Sequence, residues 1–307
     1  MFPTIKSLNP KGLNKALPLI FLAGVASCAI FLTKSHFAKS APLLYHGSQV
    51  NTAVEERQDL WWRDAASTVA QKHEVLGTAA YRPFRYAFFH GDRTLKEIAL
   101  TFDDGPHPGK VQKLLALLDR LKVKATFFVV GKMAEKHPEL VRMEAGDGME
   151  IGDHTFSHVN LSKITEEEVE IEYLACKNLI RQITGKAPLF CRPPGGQATP
   201  TVREGAEKCG LITTMWSDDP KDYSNPGSDK IESDLLDKIS NGGILLLHEG
   251  VEETMQVLPD IVADLRSEGY RIVTVGQLAK DSGRWPKPVT PMLLPAGRKP
   301  APLERAY

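Results

Sequence analysis

From Glu97 to Val275 the chain alternates short apolar runs with longer amphipathic stretches, and this rhythm constrains the fold more than any other feature. The runs at Glu97–Phe102, Ala125–Val130, Glu150–Asp153, Leu189–Arg192, Leu211–Trp216, Gly243–Leu247 and Arg271–Val275 have the length and side-chain types of buried strands. Between them, Val111–Leu121, Thr165–Ile183, Thr201–Cys209, Ile231–Ile239 and Met255–Glu268 place apolar residues at helical spacing, and Gly185 stands as a stop just beyond the second. Strands alternating with helices predict a parallel sheet with crossover helices, either open or barrel-like. About seven strands are one short of a closed eight-stranded barrel, so the expected class is α/β, a distorted and incomplete (β/α) barrel.

The flanks have a different character. Ala16–Leu32 carries no charge, with Lys6, Lys11 and Lys15 before it and Lys34 and Lys39 after. Residues 1–40 therefore read as a membrane-directed segment: an anchor, a cleaved signal with a weak site at Ala38-Lys39-Ser40, or a lipidation box at Val25-Ala26-Ser27-Cys28. All three place the rest of the chain outside the cytoplasm. Residues 41–94 read as a stalk and N-terminal extension. Within it Gln58–His73 has helical spacing, and Trp61-Trp62 either packs on the main domain, the commoner use of aromatic area, or stacks on sugar rings. Arg85–Phe89 and Glu97–Thr101, separated by Gly91-Asp92-Arg93, predict a short hairpin. The main domain is expected over residues 95–280. Residues 281–307 contain Pro286, Pro288, Pro291, Pro295, Pro300 and Pro302 and read as an extended tail.

Charge and cysteine content narrow the function classes. Lys plus Arg equals Asp plus Glu, at 38 each, so bulk charge gives no reason to expect a nucleic-acid partner. Apart from Cys28 in the leading segment, Cys176, Cys191 and Cys209 form an odd set without C-x-x-C spacing. A zinc knuckle or a dithiol redox motif is thus unsupported, and the favoured reading is small buried hydrophobes with at most one disulfide.

Every unusual polar cluster falls directly after an expected strand: Asp103-Asp104, His154 with His158, Arg192 with Pro193-Pro194, Asp219 with Asp222, and His248. In parallel α/β folds the carboxyl ends of the strands share one face, so these loops converge on one cleft. On a helical turn the i, i+4 spacing of His154 and His158 would put both imidazoles on one side. An aspartate added to them makes a His-His-carboxylate set with an open position for water, as in catalytic zinc sites. One of the paired aspartates is then a ligand, and the other is free to take a proton from water activated at the ion.

The segments TFDDGPHP, HTFSH, RPPGG, DPKDY and ILLLHEG, in this order, closely resemble the five motifs of polysaccharide deacetylases, the NodB-like family 4 carbohydrate esterases, over about Glu97–Leu278. The resemblance implies a distorted (β/α) barrel and metal-dependent removal of acetyl groups from N-acetylated glycans such as peptidoglycan or chitin oligomers. By position it implies Asp103 as base, Asp104, His154 and His158 as metal ligands, His248 as general acid and Arg192 as the residue orienting the base. Asp222 matches the residue that holds His248, ahead of Asp219. The backbone N–H of Gly195 is the expected oxyanion donor. Gly195 stands where the family has tyrosine and Tyr223 where it has tryptophan, while Ile244 and Leu246 take the positions expected to line an acetyl pocket. The cofactor implied is a divalent metal, zinc first, with cobalt, manganese, nickel or iron compatible with the same ligands. Two rival readings are a non-catalytic glycan-binding protein and a His-His-carboxylate iron oxygenase. In the oxygenase, the second aspartate and the distant histidine would have no role.

Overall fold

The structure, a computed structural model, describes residues 60–71 and 87–283. Its strands are β1 (Glu97–Gly105), β2 (Thr126–Val129), β3 (Glu150–Asp153), β4 (Phe190–Cys191), β5 (Ile212–Thr213), β6 (Gly243–His248) and β7 (Arg271–Val273). Helix α1 covers 60–71. The others are α2 (Val111–Leu121), α3 (Gly131–Lys136), α4 (Pro138–Gly146), α5 (Glu166–Thr184), α6 (Pro200–Lys208), α7 (Ser228–Leu236), α8 (Glu252–Ser267) and α9 (Val275–Asp281).

The strands pair in parallel in the order β5-β4-β3-β2-β1-β6. β6 pairs with β1 from Ile98 to Asp103, so β7, on Glu97–Ala99, and β2, from Thr101 onward, share the opposite edge. The sheet curls into a half-barrel: beyond β5 the chain reaches β6 through a parallel bridge between Asp218 and Leu245. Phe88 bridges to Thr214 beside β5. The expected hairpin of Arg85–Phe89 with Glu97–Thr101 is therefore not formed by the described part of that segment. Both edges of β1 are already occupied, and Phe88 exchanges its hydrogen bonds with Thr213 and Met215 instead.

Strand alternation sorts the core into two layers. Ile98, Leu100, Phe102, Phe127, Val129, Leu245 and Leu247 face the helices in one cluster. Ala99, Phe128, Phe190 and Ile244 face inward, where Val275, Leu278 and Ala279 of α9 join them. The first two N–H groups of α9 donate to Thr126 Oγ1 and Glu150 Oε2, at the first residues of β2 and β3. This packs α9 across the amino ends of the strands and leaves the carboxyl ends open. Cys176, Cys191 and Cys209 are buried thiols.

Of the flanks, α1 is described, and it packs: Ala65 and Val69 are fully buried in the outer cluster and Trp61 and Trp62 lie against it. The segment 1–40 and the tail beyond Gly283 lie outside the described residues, and among those described no helix is long and apolar enough to cross a membrane.

Candidate active site

At the end of β1 the two adjacent aspartates part company. The strand register shifts between Asp103 and Gly105, and Asp104 adopts φ 74°. Such a bulge re-aims one side chain relative to its neighbour. Asp103 stays in register with His248 on β6 and faces inward, 3% exposed, whereas Asp104 turns toward His154 and His158.

His154 follows β3, and the segment to His158 is not the helical turn its spacing predicts: Thr155 and His158 both have positive φ, at 67° and 58°. A loop does the same work, placing the two imidazole centroids 5.0 Å apart. Hydrogen bonds from two neighbouring helices and within the loop hold it. Glu172 of α5 accepts the Ser157 N–H at 2.8 Å and also its hydroxyl. The N–H groups of Gly131 and Lys132, at the start of α3, donate to the carbonyls of Thr155 and Phe156. The Thr155 hydroxyl accepts the His158 N–H.

Asp104 Oδ1 lies 3.3 Å from His154 Nε2 and 3.0 Å from His158 Nε2, and these three atoms form a group compact enough for one metal ion. That oxygen is buried with no hydrogen-bond partner in the protein. His154 Nδ1 is 2.7 Å from the Arg192 carbonyl, to which it donates, so its Nε2 presents a lone pair. Two imidazole nitrogens and an orphaned carboxylate oxygen fit a divalent cation. Burial works against ionisation of Asp104, but His154 and His158 outweigh it and hold its carboxyl well below the usual range.

Arg192, after β4, is fully buried. Its guanidinium donates to Asp103 Oδ1 and Thr101 Oγ1, both at 2.7 Å, and to the carbonyls of Met215 and Thr214, and it lies 4.2 Å over the Phe128 ring. Every face of the charge is matched, so it stays in place as a fixed partner for Asp103. Asp103 Oδ2 is left pointing toward the cleft, 3.8 Å from His154 Nε2.

At the end of β6, His248 Nδ1 donates to Asp222 Oδ1 at 2.7 Å. Asp222 Oδ2 accepts both the His248 N–H and the Thr254 hydroxyl. Burial opposes a charge on His248, yet the Asp222 carboxylate, with Asp103 and Asp104 further off, prevails and raises its pKa. Asp219, the alternative partner, instead accepts the Lys221 N–H in a local turn. Tyr223 is exposed and sets its ring edge-on to the His248 imidazole, 5.1 Å away.

The remaining expected contacts are spread out. Gly195 has φ 61° and open space where a side chain would stand, while a Cβ on Gly196 would press on the Trp216 ring. Leu246 is in register with Thr101, one inward position below His248. Ile244 lies a further inward position down, fully buried beside Ala99 and Phe128, and belongs to the floor of the half-barrel more than to a cleft wall. Sequence reasoning missed Thr101, Glu172 and Thr254, whose contacts come from distant segments.

A family model described as polysaccharide deacetylase matches residues 90–214. A peptidoglycan-N-acetylglucosamine deacetylase of Bacillus cereus is 36% identical over 203 residues, which cover 64% of this chain and 95% of that protein. The chain belongs to the polysaccharide deacetylase family. Within the family it also resembles a chitooligosaccharide deacetylase of a Bradyrhizobium species, 35% identical over 60% of this chain and 90% of that one. The crystal structure of the Bc1960 peptidoglycan N-acetylglucosamine deacetylase superposes with a TM-score of 0.61 at 33% identity, covering 64% of this chain and 97% of that one. A family 4 pseudoenzyme from Bacillus anthracis reaches the same TM-score at 21% identity, so likeness of fold alone does not carry activity.

Proposed function

We propose that this chain is a metal-dependent N-deacetylase acting on acetylated glycans of the peptidoglycan or chitooligosaccharide type. The observation that carries the reading is the convergence of Asp104, His154 and His158 on one point, with Asp103 and His248 at matched positions of adjacent strands beside it. The relatives named above act on such glycans, and the complete set of titrating groups favours hydrolysis over mere binding.

Asp104 Oδ1, His154 Nε2 and His158 Nε2 would hold the ion, with zinc the first choice for such a set. When bound, it supplies Lewis acidity and lowers the pKa of water. The chain's own residues do the rest. Asp103, pinned through Oδ1 by Arg192, takes up the proton from water at its free Oδ2. The Gly195 N–H donates to the oxyanion that develops on the acetyl group. Asp222 keeps the Nδ1 proton of His248 in place, so that a protonated Nε2 faces the cleft and passes its proton to the departing amine. Tyr223 offers an exposed aromatic edge to a sugar ring beside that amine.

Residues 1–40 carry the chain to the membrane or through it, and the domain over 95–280 works outside the cytoplasm, where such glycans lie. Zinc-loaded protein incubated with N-acetylglucosamine oligomers and with whole peptidoglycan tests the reading. Acetate should be released from at least one of them, a chelator should abolish the release, and added divalent metal should restore it. Binding of glycan without acetate release would establish the non-catalytic alternative.

A further inference from the structure

The end of β6 carries an acid that the reaction does not use. Glu249 follows His248 and is 3% exposed. Its N–H donates to the Asp103 carbonyl at 2.9 Å, and its Oε1 accepts the His107 N–H at 2.6 Å. A Cβ on Gly105 would run into its carboxylate, so this side chain fills the space behind the turn that presents Asp103 and Asp104.

Against it lies a second acid. Glu144, in α4, is fully buried and within hydrogen-bonding reach of Glu249. Both Glu144 oxygens and Glu249 Oε2 have no other partner in the protein. The nearest cationic group is His107 from the β1–α2 turn, with Nδ1 3.7 Å from Glu249 Oε1. Asp104 and Lys110 bear on His107 from further away. Two ionised carboxylates in contact and out of water repel each other, and each loses its hydration. One proton resolves the conflict, because a neutral carboxyl donates where a carboxylate cannot. Glu144 is the member that keeps it, since Glu249 already accepts from His107. Burial first, and the Glu249 charge second, push the Glu144 pKa well above the ordinary glutamate value.

We propose that Glu144 and Glu249 hold a single proton between them, and that this acid–carboxylate pair braces the Asp103–Gly105 turn against the end of β6. Both are positioning residues. The brace sets Asp103 against His248, which stand opposite each other in the β1–β6 register. Its consequence for turnover rests on the proposed reaction, but the proton itself does not.

Infrared difference spectra of wild type minus Glu144→Gln, taken at neutral pH, isolate this one carboxyl because other buried acids cancel. They should show the C=O stretch of a protonated acid. Absence of that band overturns the shared proton whatever the enzyme does. Stability gives a second arm. A pKa raised in the folded state means that stability is fully present below the unfolded value of about 4.3 and is lost as pH rises. The melting temperature of Glu144→Gln should therefore gain on wild type as pH rises above about 4.3. Parallel curves would contradict the proposal. In the third arm, Glu144→Leu removes the donor and should lower kcat roughly 10- to 100-fold with little change in KM, the scale of a small misplacement of reacting groups. Glu144→Gln, which still donates, should restore most of that loss. If Glu144→Leu and Glu144→Gln turn over alike, the pair is not a brace; if Glu144→Leu does not fold, the spectra and melting curves decide.

Discussion

At the residue scale, the site works by giving identical side chains different surroundings. Asp103 and Asp104 are neighbours in sequence, yet one faces a buried arginine and the other faces two imidazoles. His248 is set apart from His154 and His158 in the same way, by the Asp222 carboxylate. Because that carboxylate raises the His248 pKa, the protonated acid persists to higher pH than an ordinary imidazole would. Turnover should fall on the alkaline side only above that raised value. Asp222→Asn removes the charge, so the alkaline limb of the kcat profile should move to lower pH. A limb that stays in place would mean that another group supplies the proton. That these residues converge on one cleft was legible in the sequence because each follows a strand, whereas the roles proposed for them came from the family resemblance. Glu144 was not legible, since a buried acid in a helix looks like any surface glutamate until the fold brings Glu249 against it.

At the element scale, strands and long helices were readable because each buries one continuous face, and α5 also carries its own capping box at Thr165 and Glu168. The pair α3 and α4 was not anticipated. Each is short, and His137-Pro138 interrupts the pattern, with Pro138 opening α4 at a position where proline is tolerated. These helices matter for the site. The first turn of α3 fixes the backbone that links His154 to His158, which explains why a loop could replace the expected helical turn. Gly131 is the point of closest approach: a Cβ there would stand 2.8 Å from the Phe156 Cα. Gly131→Ala should cost about 1 to 3 kcal/mol in stability, the usual range for overpacking, and should weaken metal affinity by displacing the loop. Chemical denaturation and a metal titration on the same variant check both. Unchanged metal affinity would show that α3 does not set the ligand geometry.

At the scale of the whole molecule, the half-barrel closes its amino end with α9 and opens its carboxyl end to solvent, so the site sits where a polymer can reach it. The N-terminal extension is more than a spacer, because α1 buries Ala65 and Val69 in the outer core cluster. Removing residues 1–40 should give a soluble, active protein. Removing residues 1–86 takes α1 away and should lower stability by about 2 to 5 kcal/mol, the scale of emptied core positions. Equal melting temperatures for the two truncations would contradict this role for α1. In the proposed mechanism one aspartate of the pair holds the ion while the other moves the proton. Bound metal per chain, measured alongside turnover in Asp103→Asn and Asp104→Ala, tests it most directly. Asp103→Asn should keep close to one ion and lose roughly 10²- to 10⁴-fold in turnover, whereas Asp104→Ala should lose the ion and recover part of its rate in excess metal. An Asp103→Asn variant without metal beside an Asp104→Ala variant that retains it would reverse the assignment, and full activity in both would refute the mechanism.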